Sequence, residues 1–185
     1  MLEKTVWKGA LFVKCYPRRV LIAFVISVLC GTLLHFVYDF FPSAVTAIFS
    51  PVSESLWEHL KLIFWPYLVA LLILVPMEKG GGFAPWLFSL LVISAALLGI
   101  AYCYHVLWGG ESLFFDVTLY VLLMAAGFLF PRLFHPLAGK IVLTLLLWFL
   151  VIALGFVLLV FTWYPPRGAL FSDLSAVRTW ITIPW

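Results

Sequence analysis

Apolar residues run through this chain in long blocks separated by short polar turns. The blocks cover 20–41, 51–76, 84–106, 112–130 and 140–162. Each holds about 20 residues or slightly more, which at about 1.5 Å of rise per residue crosses a hydrocarbon core of about 30 Å. The breaks carry turn chemistry: Pro42-Ser43, then Glu78-Lys79-Gly80-Gly81-Gly82, then Trp108-Gly109-Gly110-Glu111, then Pro131-Arg132 with Pro136. Ser50-Pro51 reads as the start of the second long helix, because Ser caps well and Pro suits the first helical position. Glu54 then falls near the first turn, where its charge complements the helix dipole. Pro85 opens the third block. The pattern predicts an all-α polytopic membrane protein of about five transmembrane helices, with no internal repeat.

Composition agrees. The chain of 185 residues is 65% hydrophobic and 10% charged, with 18 Phe, 9 Trp and a mean hydropathy of +1.17. A soluble domain carries about a quarter charged residues. The lipid bilayer is therefore the expected partner, and a multi-pass position in a cell membrane the expected location. No cleavable signal peptide is read at the start, because the first apolar block is long and lacks a small-residue cleavage site.

The distribution of charge orients the spans. Lys4, Lys8, Lys14, Arg18 and Arg19 form a basic arm over 1–19, directly before the first span, where the positive-inside rule expects the cytoplasm. Five spans over 20–162 then place the C-terminus outside, with 163–185 an extracytoplasmic interfacial tail whose Trp163, Trp180 and Trp185 suit a membrane surface. Lys79, Arg132 and Lys140 join the arm on the inner side, making eight of the eleven Lys and Arg residues. No groove-reading or base-stacking surface accompanies the arm, so no nucleic-acid partner is expected. Cys15, Cys30 and Cys103 have no metal-binding spacing; Cys30 and Cys103 read as packed thiols.

The few remaining ionisable residues converge. His35 and Asp39, four apart, share a face at the outer end of the first span. The segment SPVSESLWEHLK, residues 50–61, brings Glu54, Glu58 and Lys61 into one helical arc, with His59 and Ser55 on an adjacent face. His105 ends the third span and Asp116 begins the fourth on the same side. An ionisable group inside a span costs a few kcal/mol unless paired or hydrated, so such groups face the protein interior and mark function. The expected ligand-binding pocket opens outward between spans one, two and four, and comprises His35, Asp39, Glu54, Glu58, His59, Lys61 and Asp116. The plainer alternative is structural: Glu54 serving the helix dipole, Glu58–Lys61 an i, i+3 ion pair, and His35–Asp39 a satisfied pair.

The same residues carry a family resemblance. Val52-Ser53-Glu54-Ser55-Leu56-Trp57-Glu58-His59-Leu60-Lys61-Leu62 resembles Val-Asn-Glu-Ser-x-Trp-Glu-His-x-Lys-Leu. That segment is the hallmark of an uncharacterised family of small bacterial integral membrane proteins, a domain of unknown function. Gly31 to Asp39 looks like the family's Gly-x-x-x-His-x-x-Tyr-Asp, and Phe161-Thr162-Trp163-Tyr164-Pro165-Pro166 with Leu170-Phe171-x-Asp173 looks like its closing motif. Ser53 stands at the family's Asn and Arg167 at an expected His. The resemblance implies the membrane architecture and brings no activity with it.

Three functions fit these residues. The first is binding or transport of a cation or small polar ligand by Glu58, Asp116, Asp39 and His35, with a homo-oligomer expected because five spans make a small transporter. The second is a metal-dependent membrane hydrolase, in which His35, His59 and a carboxylate among Asp39, Glu58 and Asp116 hold a divalent metal such as Zn²⁺ and leave a position for water. The third is a non-catalytic subunit of a membrane complex. No catalytic residue is assigned, and Gly80-Gly81-Gly82 lacks the following Lys-Ser/Thr of a phosphate loop.

Overall fold

The computed structural model describes residues 18–77, 82–134, 137 and 139–174. The basic arm up to residue 17 with Cys15, the loop 78–81, His135, Pro136, Ala138 and the tail from 175 with Trp180 and Trp185 lie outside the described residues. The described part is helical: α1 Arg18–Phe40, α2 Ala44–Phe49, α3 Leu56–Met77, α4 Phe83–Ala101, α5 Leu113–Leu133 and α6 Ile141–Trp163. A π-helical turn, Tyr102–Leu107, extends α4, and a 3-10 turn, Ala169–Phe171, follows α6. Five of these helices (α4 taken with its extension) are long and apolar enough to cross a membrane.

α3 and α4 form the inner layer. Leu60, Ile63, Phe64, Tyr67 and Leu71 of α3, and Leu87, Leu90 and Ile93 of α4, are enclosed. α1, α5 and α6 pack around them and turn apolar stripes outward, such as Ile22, Ile26, Leu29 and Leu33 on α1. In water those stripes would be an unfavourable surface; against lipid they are the ordinary one.

Small residues and prolines set the helix contacts. Pro66 has no N–H, so the carbonyl of Leu62 loses its intrahelical donor. Gly31 of α1 lies against that carbonyl, and a Cβ there would come within 2.5 Å of it and also strike the Tyr120 side chain of α5. Tyr120 donates to the Val28 carbonyl at 3.0 Å, and Ser27 donates to the Pro66 carbonyl at 3.4 Å, so α1 is tied to both α5 and α3. Pro131 similarly strips the Gly127 carbonyl of its donor, and the Tyr67 hydroxyl replaces it at 2.7 Å. The expectation that Pro131-Arg132 forms a loop is corrected on this account: α5 continues to Leu133 because Tyr67 satisfies the freed carbonyl.

The start of α3 also differs from the sequence reading. α2, capped by Ser43, occupies the apolar stretch up to Phe49, and α3 begins at Leu56 rather than Pro51. Ser50 is spent elsewhere: its hydroxyl donates to the Leu34 carbonyl and accepts from Tyr38 N at 3.1 Å, inserting into the hydrogen-bond ladder of α1. Ser55 accepts from Glu58 N at 3.3 Å and so serves the first turn of α3. α1 begins at Arg18, so the last two residues of the expected basic arm are helical.

Candidate metal centre

Three polar groups gather at the end of the bundle where α3 starts. The first is enclosed. Lys61 Nζ, with no exposed side-chain surface, donates to Glu58 Oε2 at 2.6 Å, to the Ala47 carbonyl at 2.8 Å and to the Ser50 carbonyl at 3.4 Å. Glu58 also accepts from Val52 N at 3.0 Å and from the Thr162 hydroxyl of α6 at 3.1 Å. The pair therefore binds α2, the 50–55 segment and α6 to α3, and its donors and acceptors are occupied by the fold.

The second group joins α4 to α5. The π-helical turn brings His105 to Asp116, with Nε2 and Oδ1 2.7 Å apart, while Nδ1 faces the Gly110 carbonyl at 2.8 Å. Both ring nitrogens meet acceptors, an arrangement that suits a doubly protonated ring. A separation of 2.7 Å is that of a short charge-assisted hydrogen bond and is too close for two ligands of one metal.

The third group is different. Glu54, in the segment before α3, faces two imidazoles: His59 Nε2 at 3.2 Å and His35 Nε2 at 3.8 Å. The two rings meet edge to face with centroids 5.2 Å apart. One ligand atom from each of His35, Glu54 and His59 lies within 4.8 Å of the others. His59 Nδ1 lies 2.8 Å from the Ser55 carbonyl, a pure acceptor, so Nδ1 carries a proton, and Nε2 faces the Glu54 carboxylate, a second acceptor. A ring nitrogen facing a carboxylate needs a cation between them. With a proton it is a hydrogen bond; with a metal at about 2.0–2.2 Å from each donor, tetrahedral ligands stand about 3.3 Å apart. The 3.2 Å and 3.8 Å separations bracket that value. His35 Nδ1 is buried with no hydrogen-bond partner among the described residues, so that ring is not held by another bond.

The centre is open to its surroundings, with the Glu54 side chain 45% exposed. The hydrogen bond from His59 holds the Glu54 carboxyl below the usual carboxylate range; partial burial opposes this and the positive charges of His59 and His35 reinforce it. The tail adds a brace, with Leu174 N donating to the Glu54 carbonyl at 3.3 Å and Phe171 packing on Trp57.

The expected pocket residues are thus re-sorted. His35 and His59 come together, but the carboxylate between them is Glu54, because α3 starts after it and frees it from the arc of Glu58 and Lys61. Asp116 bonds His105, which the expected site set left out, and stands near enough to His59 for their charges to interact. Asp39 is exposed at the end of α1 and joins none of the three groups, so the expected His35–Asp39 pair does not form. Thr162 escapes the sequence reading: a lone Thr in an apolar run carries no signal of its contact with Glu58.

A family of unknown function, DUF6512, matches residues 12–180. The chain belongs to that family. No curated protein and no solved structure matches it. Membership of DUF6512 covers all three polar groups and all five long helices, and adds no activity to them.

Proposed function

We propose that the chain is a polytopic membrane protein that binds a divalent transition metal, zinc foremost, through His35, Glu54 and His59. The site lies at the extracytoplasmic end if the N-terminus is inside, as the basic arm implies. The observation that carries the reading is the grouping of three donors: His35, Glu54 and His59 each offer a ligand atom within 4.8 Å of the others, and the Ser55 carbonyl orients the His59 ring so that Nε2 faces the carboxylate. Two imidazoles and one carboxylate are a donor set that zinc and other borderline divalent metals accept.

Transport through one copy of the chain fits the sequence less well. No Asp, Glu, His, Lys or Arg occurs in 20–34, 62–77, 83–104, 117–131 or 141–162, so no charged relay leads from the centre through the bundle. Glu58, one of the four residues expected on sequence grounds to bind or transport a ligand, is bonded to Lys61, Val52 and Thr162. A second reading, metal-assisted hydrolysis, is favoured by the exposure of the centre: three protein ligands with an open side leave a coordination position for water.

Metal analysis of protein purified without chelator tests the proposal. About one zinc per chain is expected, with loss on His59→Gln or His35→Gln while Asp39→Asn retains it. Absence of stoichiometric metal after supplementation with zinc, iron and manganese would remove the reading.

A further inference from the structure

An apolar groove runs along the seam of α1 and α3, on the face of α1 away from His35. Its volume is about 690 Å³, and its walls include Ile22, Ile26, Cys30, Pro66, Ile73 and, at one end, Arg19. The α1 residues lining it reach from Arg19 to Val37. At about 1.5 Å per residue that is about 27 Å, close to the full hydrocarbon depth. Ser27 lines it too, but its hydroxyl is committed to the Pro66 carbonyl. The walls therefore offer hydrocarbon and nothing polar until the end marked by Arg19.

That end is basic. Arg18 and Arg19 are both exposed, and Arg19 donates one N–H to the Met77 carbonyl at the C-terminus of α3. A guanidinium has five donors in a planar fork suited to phosphate, and among the described residues Arg19 spends one. Anchored on Met77, it is held beside the mouth of the groove with donors to spare. The part of the slot from Arg19 to Cys30 is about 16 Å long, the depth of one leaflet, and ends at Arg19 with Arg18 beside it in the chain; it has the length and charge for one phospholipid, chain in that half of the slot and phosphate on the basic rim. A second copy of the chain fits less well, since two-fold pairing about the membrane normal would set Arg18 and Arg19 of each copy at the same level as those of the other.

We infer that the α1–α3 groove is a binding site for an anionic phospholipid, with its acyl chain along Ile22, Ile26, Cys30 and Ile73 and its phosphate held by Arg18 and Arg19. The inference is independent of the metal centre, which lies at the other end of α1. Each arginine near a headgroup is worth about fivefold in affinity for an anionic over a neutral lipid.

The test is delipidated protein in neutral detergent, with phosphatidylglycerol or phosphatidylcholine of identical chains added, read by native mass spectrometry and thermal melting. Wild type is expected to retain phosphatidylglycerol with a preference of about tenfold or more and to melt higher with it. Arg18→Gln with Arg19→Gln is expected to lose the preference but still fold, as both side chains are exposed. Ile26→Trp, which fills the groove from an exposed position, is expected to lose retention of both lipids while leaving the melting temperature without lipid unchanged. Equal retention of the two lipids by wild type overturns the inference. So do selectivity that survives the double substitution, stabilisation by inorganic phosphate alone to the same extent, and a stable dimer of delipidated protein that excludes lipid.

Discussion

Lys61→Met removes the only cation bonded to Glu58 among the described residues. The Glu58 carboxylate is then left 5% exposed, with Val52 N and the Thr162 hydroxyl as its remaining donors, and the carbonyls of Ala47 and Ser50 lose theirs. Removing one partner of a buried ion pair costs about 3–5 kcal/mol, because the other charge stays desolvated and uncompensated. For a chain of this length, each kcal/mol lowers the melting temperature by about 2–4 °C, so the expected fall is about 6–20 °C. Adding Glu58→Gln removes the stranded charge while keeping an acceptor for Val52 N. The double variant is therefore expected to recover about 2 kcal/mol relative to the sum of the single effects, a coupling in the range for residues in direct contact. Thermal melting in detergent, followed by loss of monodisperse elution, measures both quantities. If Lys61→Met stays within about 1 kcal/mol of wild type, or if the two substitutions add without coupling, the pair is not the clamp described here. Zinc content should be unchanged in the double variant, since neither residue belongs to the proposed ligand set.

Further outcomes follow from the same contacts. Tyr67→Phe leaves the Gly127 carbonyl, already without a donor because of Pro131, short of its hydrogen bond, and is expected to cost about 1–3 kcal/mol in the same melting assay. Gly31→Val drives a side chain into the Leu62 carbonyl and Tyr120; it is expected to destabilise strongly, whereas Gly99→Ala, where a Cβ meets nothing within 4 Å, is expected to be neutral. Glu54 has its carboxyl lowered by His59, so its contribution to stability is complete above the ordinary carboxylate range and is lost as pH falls through its native value. Melting curves against pH for metal-free protein should therefore show an acid limb that Glu54→Gln flattens; an unchanged limb would count against the His59–Glu54 contact.

The long helices were legible because each is a period-independent apolar run bounded by turn residues, and lipid asks for little more. Their ends were less so. Pro51 satisfied every local rule for a helix start, yet Ser50 is taken by the α1 ladder and Ser55 serves the first turn of α3. Pro131 read as a terminator because the donor that rescues its helix, Tyr67, is far away in sequence. The site followed the same logic. That His35, Glu54, His59, Glu58, Lys61 and Asp116 lie at one end of the bundle was readable from span order. Which carboxylate meets which base was not: starting α3 at Leu56 instead of Pro51 moves Glu54 from the Glu58–Lys61 face to the two histidines. The π-helical turn that aims His105 at Asp116 has no signature in Tyr102–Leu107 that sequence periodicity detects.

Whether His35, Glu54 and His59 share a metal ion decides the function proposed for this chain. Anomalous diffraction at the zinc edge, from crystals of protein purified without chelator, addresses that directly. The expected result is one peak about 2.0–2.2 Å from His35, from Glu54 and from His59 Nε2, with His59 Nδ1 still on the Ser55 carbonyl. A zinc-soaked crystal with no peak there, and a proton-length contact between His59 and Glu54 in its place, would contradict it.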